Sequence, residues 1–312
     1  MGENGLKEKK IYLLMAFAAF CWAGAFIAGK IAVAELPVFT VAFLRFLIAT
    51  AVIFPLMVIR EPEWRIGKKS LPMLLTLGLV GMFGYHALFF TALKYTTAVN
   101  SSMIGATNPL MTSVLAAIFL KEAFGIKRMG ALLLAFSGVA LSISGGSIET
   151  VAAFSFNKGD LIMLGAVVCW AAYSILSKRA AKHHTPIVLT SYSFLFCTIM
   201  FLPFSLMERP WMLVGETSAG AWLSIIYMAV FASCIGYLIQ QVAIRSIGPS
   251  KTNIFINLVP VFSMALAAMI LGESIGWYNA VGMLMIIAGV YSNSTIRAEK
   301  EKKIVGSQEH VS

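Results

Sequence analysis

Trp22, Tyr85, His86, Trp170, Tyr173 and Tyr237 share one property: each is an aromatic side chain with a polar edge inside a long apolar run. Asn108, Gln240, Asn253 and Asn257 add uncharged amides in similar surroundings. Such groups bind by stacking and hydrogen bonding. Polar side chains in hydrocarbon are costly and often mark a pathway. Spacing sorts them onto faces. Asn253 and Asn257 are four apart and in line with Pro260; Tyr237 and Gln240 share a polar face with Ser233 and Gln241; Trp170 and Tyr173 share one with Ser174 and Ser177. These ten residues are the candidate substrate-binding set. Each also has a packing reading, since Trp and Tyr fill cores, Asn and Gln tie helices together, and a buried histidine serves structure as readily as proton transfer.

Charge sharpens the chemistry by its absence. No Asp or Glu lies near the middle of any predicted helix, and the first apolar run carries no carboxylate between Tyr12 and Gly29. Export of lipophilic cations by proton exchange wants such an acid, so the pocket suits zwitterions or polar metabolites instead. Arg45 lies inside the second predicted helix, roughly ten ångströms in at 1.5 Å per residue. It must pair with carbonyls or an anion, or snorkel outward; a gating or structural role is the expectation. The four cysteines, Cys21, Cys169, Cys197 and Cys234, sit in apolar runs without metal-ligand spacing and read as small hydrophobes. No catalytic set, metal site, cofactor site or nucleotide-binding loop emerges. His183-His184 is the only histidine pair and has no carboxylate beside it.

The elements that must position these groups are membrane helices. The chain has 312 residues, 59% hydrophobic and 12% charged, with mean hydropathy +0.84, far from the roughly 25% charge of a soluble domain. Ten apolar runs of spanning length fall at 11–33, 38–59, 71–92, 97–120, 126–145, 159–180, 187–207, 219–243, 250–271 and 275–295. The opening KEKK before an apolar run resembles a signal sequence. Phe20 is too large for a lipoprotein cleavage site before Cys21, so an uncleaved first helix is expected. With the N-terminus inside, nineteen of the 24 Lys and Arg fall on the cytoplasmic side and four outside. That bias puts both termini in the cytoplasm. It also accounts for the net charge of +10 without a nucleic-acid partner.

The chain repeats itself. Shifting NSSMIGATNPLMTSVLAAIFLKE (100–122) by 151 residues brings Pro109 onto Pro260 and Glu122 onto Glu273. Cys21-Trp22-Ala23 likewise returns as Cys169-Trp170-Ala171, and Gly84-Tyr85 as Gly236-Tyr237. Five helices per copy is an odd number, so the second copy enters the membrane from the opposite side. Inverted repeats with paired interrupted helices are the best sequence pointer to a midplane transport site. Pro109 and Pro260 each free a carbonyl, those of Gly105 and Ile256. The alternative is that both prolines only kink helices for packing. Residues 1–145 form the first repeat, 146–158 a linker, 159–295 the second repeat and 296–312 a charged, disordered cytoplasmic tail.

WAGAFIAGK (22–30), PVFTVAFLRF (37–46), the late proline and LKE of 92–122, and LVP with LGE in 243–273 together resemble the EamA family of the drug/metabolite transporter superfamily. The GVALS and GVYSN endings of the fifth and tenth helices fit as well. The resemblance implies an all-α integral membrane fold of ten helices in two inverted five-helix repeats around a central cavity, in a prokaryotic cytoplasmic membrane. It also implies export of amino acids or related metabolites, and gives Arg45 the place of the family's second-helix arginine. The small multidrug branch looks similar within one half, but its first-helix glutamate is missing here.

The expectation is a secondary or facilitated transporter of small polar metabolites, foremost amino acids or their derivatives, working by alternating access. A sugar, nucleoside or drug permease of the same fold is the alternative. A membrane-embedded transferase is the alternative of another class, and it lacks the acid and histidine clusters such chemistry needs. A receptor or scaffold would not need a polar cavity lined from both repeats. The partners are a small-molecule substrate and the lipid bilayer, with proton coupling left open. A monomer is sufficient and a dimer is compatible.

Overall fold

The computed structural model describes residues 3–120, 125–147, 149–150, 157–213, 215–247, 252 and 255–309. Among these the regular structure is helical. In chain order we label α1 Glu3–Glu35 and α2 Val38–Arg60; α3 Leu71–Tyr95 and α4 Ala98–Phe119; and α5 Ile126–Ile143. Then come α6 Lys158–Ala180, α7 Pro186–Met207 and α8 Ala219–Ala243, α9 Phe255–Leu271 and α10 Trp277–Glu309. Seven of these are long and apolar enough to cross a membrane: α1 to α4 and α6 to α8. Many large apolar side chains face outward, among them Leu13, Ile59, Phe119 and Leu223, as a lipid-facing surface requires.

Packing joins distant parts of the chain. α1 packs on α8 and α9, α6 on α3 and α4, α2 on α7, and α5 on α10. The α5–α10 contact is close because glycine removes side chains from it. A Cβ on Gly138 would stand 2.5 Å from the Gly282 carbonyl oxygen, and one on Gly289 would stand 2.6 Å from that of Ala131. Gly130, on the same helix as Gly138, faces open space.

Three local departures from α geometry were not legible in the sequence. Turns of π-helix occupy Leu77–Gly84 in α3, Met228–Ile235 in α8 and Ala267–Leu271 in α9. The first two are related by the same 151-residue shift that relates Pro109 to Pro260. The proline helices do break, but before the proline. α4 is interrupted at Ala106 and Thr107, between Ala98–Gly105 and Asn108–Leu120. α9 opens with a 3-10 turn, Phe255–Asn257, followed by Leu258–Leu266. The expectation of disorder after residue 296 is corrected: α10 continues to Glu309, through a Glu-, Lys- and Arg-rich stretch of good helix formers. Most of the expected linker, and Glu122, lie outside the described residues.

Candidate functional site

The interruptions of α4 and α9 meet a cavity between the helices. Trp22 and Phe26 of α1, Arg45 of α2, and Tyr85, His86 and Phe89 of α3 form part of its wall. Ser102, Gly105 and Asn108 of α4, Trp170 of α6, Tyr237 and Gln240 of α8, and Ile256 and Val259 of α9 complete most of it. Its volume is about 80 Å³, room for several water molecules. Gly105 and Ile256, whose carbonyls the two prolines leave without a helical partner, are both at this wall.

Aromatic rings form most of the lining and touch in series. Tyr85 and Trp170 have centroids 4.8 Å apart, Trp170 and Tyr237 5.7 Å, and Tyr237 and Trp22 6.2 Å. The Trp22 indole N–H donates to the Ala232 carbonyl at 3.0 Å. That carbonyl lies in the π segment of α8, where the wider turn disturbs the regular ladder. Close fit accompanies this bond, since a Cβ on Gly236 would come within 2.6 Å of Trp22 Nε1. The sequence therefore supplies Trp22 and the notch that receives it from opposite ends of the chain.

His86 is almost wholly buried, and its Nδ1 lies 2.8 Å from the Met82 carbonyl oxygen. A carbonyl has no proton to give, so Nδ1 carries the hydrogen, and in the neutral ring Nε2 is left as an acceptor. Phe46 and Tyr85 pack edge-on against the ring at 4.6 and 4.7 Å. Arg45 is 3% exposed. Its Nε donates to Ser233 Oγ at 3.0 Å, and its guanidinium carbon lies 5.4 Å from the Phe46 ring centroid and 5.8 Å from that of Phe90.

Of the ten candidate binding residues, seven meet at this cavity: Trp22, Tyr85, His86, Asn108, Trp170, Tyr237 and Gln240. Tyr173 does not line it. Its ring lies 5.4 Å from Trp170 and fills the notch at Gly81 in the π segment of α3, leaving no room for a Cβ there. Asn257 is also off the wall. Its segment, Phe255–Asn257, is a 3-10 turn and not a turn of α-helix. Asn253 lies outside the described residues. Arg45, expected to be structural or gating, lines the cavity; Pro109 and Pro260 stand just beyond the two breaks. Sequence reasoning missed Phe89 and Val259; Phe89 is four residues after Tyr85 and so on its face.

At the end of the molecule bearing the α1–α2 turn, carboxylates cap helices of the other half of the chain. Glu208 accepts the backbone N–H groups of Phe39 and Thr40 at 3.2 and 2.7 Å, and the Thr40 hydroxyl at 2.8 Å. Glu35 accepts from Ser218 N–H and Oγ at 2.7 and 2.6 Å. Glu273 accepts from Ala98 and Val99 N–H. Anions belong at helix N-termini, where unpaired N–H groups and the helix dipole favour them. Lys30 supplies the opposite end effect, donating to the Leu93 carbonyl at 2.8 Å and to that of Thr96, at the C-terminus of α3. At the other end of the molecule the Thr185 hydroxyl donates to Glu61 at 2.9 Å.

The EamA-like transporter family model matches residues 9–144 and again 157–295. The chain belongs to that family. Among EamA relatives, the "Uncharacterized transporter YyaM" of Bacillus subtilis (strain 168) is 36% identical over 293 residues, covering 93% of this chain and 95% of that protein. The "Probable amino-acid metabolite efflux pump" of Salmonella typhimurium is 27% identical over 298 residues, covering 92% and 95%. A solved crystal structure superposes with TM-score 0.62 at 20% identity, over 94% of this chain and 99% of that one; it speaks to the fold. This EamA protein is therefore a multi-pass membrane transporter and not an enzyme.

Proposed function

We propose that this EamA protein is a secondary or facilitated transporter of small polar metabolites, foremost amino acids or their derivatives, and that it works by alternating access. The observation that carries the reading is the cavity where the two broken helices, α4 and α9, meet aromatic and amide side chains from both halves of the chain. Its wall stacks and hydrogen-bonds, and among the described residues its lining includes no carboxylate. The name of the Salmonella relative favours amino-acid metabolites and export among the possible cargoes.

A ten-helix, inverted two-repeat arrangement supports the mechanism. The family model matches twice, and the packing pairs exchange when each helix is replaced by the one five places along: α1–α8 with α6–α3, and α1–α9 with α6–α4. Two inverted halves can rock about such a site and open it to each side in turn. The charge bias puts both termini in the cytoplasm of a prokaryotic cell and the capping carboxylates outside. The outer end is then the closed one. There a Cβ on Gly29 would be 2.7 Å from Leu93, and one on Gly159 2.9 Å from the Ala92 carbonyl, so α1 and α6 both press on α3.

Counterflow tests the reading. Proteoliposomes preloaded with an unlabelled amino acid are offered the same compound labelled, for each amino acid in turn. Accumulation that Trp170→Ala abolishes supports the assignment. No counterflow of any amino acid, by protein shown to be folded, removes this cargo class.

A further inference from the structure

Arg45 is a cation without an anion. It is 3% exposed, and it lines the cavity. Among the described residues it forms no ion pair, and its only hydrogen bond uses Nε, on Ser233 Oγ. The two terminal nitrogens, which give a guanidinium its fork, donate to no acceptor there. The faces of Phe46 and Phe90 flank the group without neutralising it. A buried charge is costly unless paired, and an arginine fork fits the two oxygens of a carboxylate. Groups that accept rather than donate stand on the same wall. His86 offers Nε2, because Nδ1 is committed to the Met82 carbonyl. Asn108 has its Oδ1 unpartnered.

We propose that Arg45 is the anion subsite of the cavity. Its guanidinium takes the carboxylate of the cargo, while His86 and Asn108 accept from the cargo's amino group. This rests on the transporter reading and narrows it: the protein selects small carboxylates, α-amino acids included, over the corresponding amines, esters and amides. The cost of holding Arg45 unpaired falls when such a cargo binds, so the carboxylate is a requirement for tight binding and not an accessory.

The test uses the full-length protein in detergent and in proteoliposomes. Amino acids are compared with their methyl esters and with the amines left by decarboxylation, first by ligand-induced thermal shift and then as competitors of counterflow. The acids are expected to bind roughly 10- to 100-fold better than either derivative, the range of a hydrogen bond to a charged group. Arg45→Gln is expected to remove that preference and Arg45→Lys to keep part of it. Should Arg45→Gln not fold, the acid–ester comparison on the unsubstituted protein decides alone. Equal binding of acids, esters and amines overturns the proposal, as does absence of binding by any acid. So does an Arg45-dependent stabilisation by chloride over gluconate that no carboxylate reproduces, which would make this an inorganic-anion site. Acid-selective thermal shift without counterflow keeps the subsite and removes the transporter reading.

Discussion

The Glu273 carboxylate, just past the end of α9, accepts the backbone N–H groups of both Ala98 and Val99, at 2.8 and 3.1 Å, at the start of α4. One side chain thus joins the two broken helices at the end of the molecule away from their interruptions. Removing it as Glu273→Ala leaves two N–H groups without their acceptor. A loss of about 1–2 kcal/mol is expected, read as a lower melting temperature in detergent. Glu273→Gln keeps an acceptor and is expected to lose less. The same substitutions loosen the closed end, so thiols introduced near Ala98 gain reactivity toward reagents added from that side. Unchanged melting in Glu273→Ala would show that the cap carries no stability.

Gly81 and Tyr173 form a matched pair, because the tyrosine ring occupies the space a Cβ on Gly81 would need. Gly81→Ala is therefore expected to cost about 1–3 kcal/mol. The double variant Gly81→Ala/Tyr173→Ala should recover part of that loss, giving a non-additive cycle. Additive melting shifts would mean that the two residues are not in contact. Tyr173 belongs to the support of Trp170, so Tyr173→Phe should leave counterflow and its apparent KM unchanged where Trp170→Ala abolishes transport.

The α5–α10 seam depends on two backbones approaching through glycine. Gly138→Leu should destabilise the protein by about 1–3 kcal/mol, since even a Cβ at that position meets the Gly282 carbonyl. Gly130→Ala, in open space on the same helix, should cost nothing or stabilise slightly through helix propensity. Thermal melts of the two variants side by side check the contrast. Similar behaviour of both would place the seam elsewhere.

Much of the cavity wall could be read before any coordinates because proline acts locally. Pro109 and Pro260 withdraw hydrogen bonds from Gly105 and Ile256 whatever surrounds them, and both residues reach the cavity wall. Trp22, Tyr85, Trp170 and Tyr237 were legible for a similar reason: a polar-edged ring in an apolar run has few places to go. Tyr173 and Asn257 stand off the wall because their directions depend on geometry that spacing does not encode, a π segment on a neighbouring helix and a 3-10 turn. The capping carboxylates were hidden by distance. Glu35 meets Ser218 across 183 residues and Glu208 meets Thr40 across 168, and nothing local to either glutamate announces its partner. Arg45 was noticed as an anomaly, but its exposure to the cavity required the packing of α2 against α8.

The central claim is that this cavity holds the cargo and opens to one side of the membrane at a time. Ser102 lines it, while none of the four native cysteines does. The most direct measurement is therefore labelling of Ser102→Cys, in a background with the native cysteines replaced, by a membrane-impermeant thiol reagent applied to one face of oriented vesicles. The account predicts reaction from the cytoplasmic face, protection by the amino acid that supports counterflow, and weak reaction from the other face until Glu273→Ala is added. An introduced thiol unreactive from both faces would contradict the account. So would equal reactivity from both faces without cargo protection, which would describe an open pore where the first result would describe a solid core.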